Sequence, residues 1–216
     1  MSIKPILVGA GLFVALGLLA GWAFSGDRPQ KPTPEQMQAM MEKCLKLNQP
    51  GAGHRRLDRM VGEWDTVSKF WMGGPGSEPT VNEGQATCRW ILDGRYIEEV
   101  YQGSITMPDP AKPGKTVTVP FAGRGTTGYD NYRKLYVSTW CDSMSTQMFI
   151  SRGSWHPVEE KFHFYGEMDE PALDVTGRMV KCVVTVVDED RHLFEMYDLH
   201  AGEDYKIMEI AYSRRK

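Results

Sequence analysis

The chain has 216 residues, enough for one domain with a sizeable core and short for two. Hydrophobic residues make up 41% and charged residues 25%, a balance that excludes a chain disordered throughout. Lys and Arg number 25 against 28 Asp and Glu, so a net charge of −3 offers no basic field for duplex nucleic acid, and no nucleic-acid partner is expected.

The first 25 residues hold a single charged side chain, Lys4, and residues 5–24 hold none. A helix over that run would be about 30 Å long, the thickness of a hydrocarbon core. Two readings stand. One is an uncleaved single-pass anchor with its N-terminus in the cytoplasm. The other is a cleaved signal peptide with a small-x-small site at Gly21-Trp22-Ala23 or Ala23-Phe24-Ser25. The run is longer than the usual signal-peptide core, which favours the anchor. Gly17 and Gly21 add a GxxxG, the spacing that lets two membrane helices approach closely. Trp22 stands where a lipoprotein box needs Cys, so no lipid is attached there. Either reading exports the rest of the chain, to the periplasm or the outer face of the inner membrane. The expected partners are then the membrane itself and an integral membrane protein.

Residues 26–33 form a polar linker. Thr33 supplies an N-cap, Pro34 the first helical position and Gln36 the capping-box position. Met37, Met40, Met41 and Cys44 then recur at helical spacing through Asn48, where Pro50-Gly51 ends the pattern. This methionine stripe suits packing on the domain or an adaptable contact with a partner. A shorter helix is predicted over 54–61.

From Glu63 the pattern alternates with period two. Ten strands are predicted, at 63–72, 80–92, 96–107, 121–129, 134–142, 146–151, 161–167, 178–188, 192–200 and 205–214. Turn signals separate them, sharpest at Asp93-Gly94, which has type I′ character. No helix-length pattern interrupts the strands, so nucleotide-binding crossovers are disfavoured. The expected class is mainly β: a closed antiparallel barrel of about ten strands, because closure hides the edges. The domain plan is 1–25 anchor or signal, 26–53 linker and amphipathic helix, 54–216 barrel.

Gly62-Glu-Trp64 precedes the first strand, and Arg214 lies near the end of the last. That Gly-x-Trp placement resembles the calycin superfamily, in which an arginine packs over the tryptophan. A more specific set is His54-Arg-Arg-Leu57, Val61-Gly-Glu-Trp64, Leu92-Asp-Gly-Arg95-Tyr96, Pro120-Phe-Ala-Gly123, Thr127-Gly-Tyr-Asp-Asn131, Ser138-Thr-Trp140-Cys-Asp142-Ser143 and Met208-Glu-Ile-Ala-Tyr-Ser-Arg214. With these motifs the chain resembles bacterial domain of unknown function 1579. The resemblance implies a lipocalin- or nitrobindin-like barrel with no established activity. Nitrobindins hold haem iron through a histidine near the C-terminal strand; residues 205–214 here contain none, so no cofactor is expected.

Candidate chemistry is sparse. Asp130 and Asn131, beside Tyr129, suit either a polar contact at the barrel mouth or a tight turn. Trp140 and Asp142 share a strand face with Tyr136 and Ser138, and an aromatic and a carboxylate facing inward would line a pocket. The pocket candidates are thus Tyr129, Asp130, Tyr136, Trp140 and Asp142; the partner-contact candidates are Gly17, Gly21, Met37, Met40 and Met41. Gly123-Arg-Gly125-Thr-Thr-Gly128 has a GxGxxG spacing but no following helix to hold a phosphate. The five histidines show no HxH or HxxxH spacing, so no metal site is expected. Cys44, Cys88, Cys141 and Cys182 fit either disulfides in an oxidising compartment or small buried apolar groups. The reading is a non-catalytic exported barrel that holds a small, mainly apolar ligand, with a membrane-anchored accessory subunit as the alternative.

Overall fold

A computed structural model describes residues 31–216. The expected anchor or signal segment, with Gly17 and Gly21, lies outside the described residues. Among the described residues no helix is long and apolar enough to cross a membrane.

The chain divides into two units between Lys46 and Leu47. Helix α1 (Pro34–Leu47) belongs mainly to the first. Its start is a reciprocal cap: the Gln36 N–H donates to Thr33 Oγ1 at 3.3 Å, and the Thr33 N–H donates to Gln36 Oε1 at 2.9 Å. Met37, Met40, Cys44 and Leu47 are its half-buried positions, three to four residues apart, while Met41 is exposed.

The second unit opens with a short helix α2 (Ala52–Arg55), which runs into a 3-10 turn (Arg56–Met60). Ten strands follow: β1 (Gly62–Phe70), β2 (Thr80–Ile91), β3 (Tyr96–Pro108), β4 (Thr116–Asp130), β5 (Leu135–Asp142), β6 (Phe149–His156), β7 (Lys161–Glu170), β8 (Val175–Val186), β9 (Arg191–Asp198) and β10 (Lys206–Arg214). Each pairs antiparallel with the next, and β1 pairs with β10 from Trp64↔Arg214 to Phe70↔Met208, closing the barrel. Closure leaves no strand edge along the shared part of the ladders.

The strand boundaries that differ most from the sequence reading are those of β4 and β6. β4 begins at Thr116 rather than Phe121, because Thr116–Pro120, though ending in a proline, still pair with β3 as far as Pro108↔Thr116. β4 and β5 pair only from Gly123↔Asp142, so Pro120 has no ladder on its other side and its missing N–H costs no bond. β6 runs over Phe149–His156, displaced toward the Pro157 turn, since residues 143–148 form the loop. The Asp93-Gly94 turn is a four-residue connection in which Leu92, Asp93 and Gly94 all have positive φ, not a two-residue hairpin.

All four cysteines are free thiols, with Cys88 and Cys182 buried, so the buried-apolar alternative describes these two. The inward series packs as two clusters. One gathers Leu57, Ile97, Tyr136, Phe162, Phe164, Val180, Cys182, Val184, Val186 and Met196. The other gathers Trp64, Ala86, Cys88, Tyr101 and Tyr212.

Candidate functional site

The lumen has two unlike halves. The end under α2 is sealed. Leu57 and Phe162 are wholly inaccessible and Tyr136 is 1% exposed. The Tyr136 hydroxyl donates to the Gly53 carbonyl at 2.8 Å, and the indoles of Trp90 and Trp64 donate to Asp58 and to the Met60 carbonyl, each at 3.0 Å. These bonds tie three strands to the helical plug.

Gly62, Trp64 and Arg214 meet beside this plug. The Arg214 guanidinium lies 4.2 Å from the centre of the Trp64 ring and donates to the carbonyls of Val61 and Glu189 at 3.0 and 2.9 Å. Gly62 has φ +149, and a Cβ there would stand 2.1 Å from Arg214 Nη1. Glycine is therefore required both by the backbone conformation and by the arginine's position.

Toward the other end the inward wall is aromatic and less completely buried. Phe121, Trp140, Phe149, Met208 and Ile210 belong to the inward series and keep accessible surface. Glycines opposite them explain why. A Cβ on Gly123 or Gly125 would stand 2.2 or 3.1 Å from the Trp140 ring, and one on Gly84 would stand 2.3 Å from the Tyr101 hydroxyl. The Trp140 and Tyr101 rings lie along the wall over bare backbone rather than across the centre. The Gly123–Gly128 spacing thus makes room for the rings of Trp140 on β5 and Tyr96 on β3.

A polar row runs across this wall. The His192 ring stacks on Tyr212 at 4.1 Å between centroids and meets Trp64 edge-on at 4.4 Å. His192 is 5% exposed, its Nδ1 has no hydrogen-bond partner, and burial followed by the nearby Arg214 charge lowers its pKa to about 3. The Tyr212 hydroxyl donates to Glu99 Oε1 at 3.0 Å. Burial raises the Glu99 carboxyl above the usual range, and the Tyr212 bond opposes the rise only in part. Glu99 is enclosed by protein yet retains accessible surface, which places that surface on the lumen. Nearby, the hydroxyl of Thr66 donates to that of Tyr101 at 3.3 Å, and Ser68 lies 3.5 Å from the same oxygen.

The residues predicted from sequence fall in different places. Tyr129 and Tyr136 pack at the sealed end, 4.8 Å between ring centroids. Asp130 caps its turn, accepting from the N–H groups of Tyr132 and Arg133 at 2.8 and 2.9 Å, and Asn131 donates to the carbonyls of Leu47 and Gln49. Trp140 and Asp142 stay together on the lumen wall: the indole N–H donates to Asp142 Oδ2 at 3.1 Å. Glu99, Tyr101, His192 and Tyr212 were not singled out as a group. The neighbouring Glu98 obscures Glu99, although Ile97, Glu99 and Tyr101 alternate as an inward series. Glu98 points outward to Arg89 and Arg124.

No group of three or more metal-ligating side chains occurs among the described residues. The outer face of β1–β3 carries an open groove of about 680 Å³, whose side chains Asp65, Val67, Glu83, Gln85 and Gln102 belong to the outward series.

The family model described as a protein of unknown function (DUF1579) matches residues 49–214, most of the chain. The chain belongs to the DUF1579 family. The match takes in the plug, the whole barrel and Arg214. No curated protein matches the chain. Among solved structures, it is similar to the S-type phycobiliprotein lyase CPES from Guillardia theta, with TM-score 0.44, 9% identity, and 77% of this chain and 99% of that one covered. It is also similar to a redesigned β-barrel, with TM-score 0.35, 12% identity, and 75% and 96% covered.

Proposed function

We propose that this DUF1579 protein is a binding barrel that holds a small, mainly apolar molecule in the unsealed half of its lumen. The observation that carries this reading is the contrast between the two halves. Side chains at the sealed end reach 0–1% exposure, whereas the inward Phe121, Trp140 and Phe149 keep accessible surface. Apolar surface left open in a walled space is what an apolar ligand buries, at about 25 cal/mol per Å².

The test uses the neutral fluorescent probe N-phenylnaphthylamine. Saturable enhancement is expected with the full chain. Ser138, inward on β5 and bonded to Thr127 at 2.9 Å, is the place to fill the lumen. Ser138→Trp is expected to weaken the probe by about tenfold or more, while Arg152→Trp on the outward face leaves it unchanged. Equal binding by both variants would move the site out of the lumen.

The charge-free run at 5–24 supports placing this barrel outside the cytoplasm, in the periplasm or against the membrane. Intact mass of the protein isolated from its native membrane fraction is expected to include that run. A mature chain lacking it in the soluble exported fraction would leave export standing and remove the anchor.

A further inference from the structure

We infer that the lumen selects an apolar molecule bearing a basic amine, its ammonium seated between the Glu99 carboxyl and the Trp140 and Tyr101 rings. The inference rests on the lumen-binding reading and names its ligand class. Glu99 and Gly125 are direct cross-strand partners in β3 and β4, and the Trp140 ring of β5 lies against Gly125. The Tyr101 ring lies two residues further along β3, 6.4 Å from Trp140 centroid to centroid. Glu99, Tyr101 and Trp140 thus share the inward face of the barrel, and a carboxyl and aromatic rings lining one space is an arrangement that receives an organic cation.

The charge inventory of the lumen points the same way. Glu99 has one oxygen bound by Tyr212, and Oε2 has no protein partner. Asp142 adds a second carboxylate nearer the mouth and holds the Trp140 indole by its N–H. Of the inward cations, Arg178 is paired with Asp198, and Arg214 is committed to Trp64 and two carbonyls. A carboxylate ligand would therefore meet acids with no free cation. Burial raises the Glu99 carboxyl above its ordinary range, and an ammonium beside it would favour the ionised form.

The test is calorimetric titration of the full chain with octylamine, octanol and octanoate, which share one hydrocarbon tail. Octylamine is expected to bind about tenfold or more tightly than octanoate, with octanol between them. Glu99→Gln, which retains an oxygen for Tyr212, is expected to erase the preference for the amine and to leave octanol unchanged. Trp140→Leu is expected to weaken octylamine more than octanol. Equal binding of amine and carboxylate by the unaltered chain, or a preference that survives Glu99→Gln, overturns the inference while octanol binding upholds the lumen. Failure of all three to bind overturns both. Should Glu99→Gln not fold, the unaltered chain's ranking of amine against carboxylate decides alone.

Discussion

Replacing Trp64 with alanine is expected to lower the unfolding free energy by about 3–5 kcal/mol, the range for deleting a large buried aromatic. Trp64 is 1% exposed and joins four things at once: the plug through the Met60 carbonyl, Arg214 over its face, His192 against its edge, and the β1–β10 seam that closes the barrel. Arg214 is not free to collapse into the space, because it is held by backbone carbonyls rather than by the ring alone. Urea denaturation measures the loss. The same experiment on Arg214→Met and on the double variant separates the pair. The Trp64–Arg214 coupling is expected at about 1 kcal/mol, since the two share a face and a set of partners. Strictly additive losses would mean that the arginine acts only on the carbonyls.

The second large effect is a pH dependence centred on His192. Its folded pKa, about 3, lies below the ordinary 6.5, so the unfolded chain takes up the proton first. The stability contributed by the neutral ring is intact above pH 6.5, shrinks as pH falls through 6.5, and is gone below about 3. Between pH 7.5 and pH 4.5 the loss amounts to about 2–3 kcal/mol. Glu99 has the opposite sign. Its raised folded pKa contributes stability that is complete below the ordinary 4.5 and lost as pH rises through the folded value. The two partly cancel in the unaltered chain, and His192→Phe separates them. Phenylalanine keeps the stacking on Tyr212 and removes the unpartnered Nδ1 and its titration. The stability difference between His192→Phe and the unaltered chain is expected to shift toward the variant by about 2–3 kcal/mol on going from pH 7.5 to pH 4.5. A difference that does not change with pH would show that His192 accepts its proton in the folded chain as readily as in the unfolded one.

Much of the fold was legible because its signals are local. Alternation along 178–188 places Val180, Cys182, Val184 and Val186 on one face, and all four are buried. Thr33, Pro34 and Gln36 announce the start of α1 within four residues, and Gly62-x-Trp64 marks the entry to β1. The missed start of β4 has a local cause too. Pro120 reads as a strand breaker, and only the end of the β5 ladder at Asp142 leaves it without a bond to lose. The site was legible in fragments. Trp140 and Asp142 share a strand face by alternation, and they hydrogen-bond on the lumen wall. Tyr129 and Tyr136 carry the same aromatic signal but meet the plug, a contact between residues some eighty positions apart.

The period of the strands, their antiparallel succession and the signature at Gly62, Trp64 and Arg214 are legible in residue order, because alternation, turns and caps depend on neighbours along the chain. Which end of the barrel is sealed, which of Glu98 and Glu99 faces the lumen, and the single row of His192, Tyr212 and Glu99 emerge only on folding. Those outcomes depend on the register in which the barrel closes. Register sets the face of every side chain at once, through pairings such as Tyr212↔His192 that join separate strands.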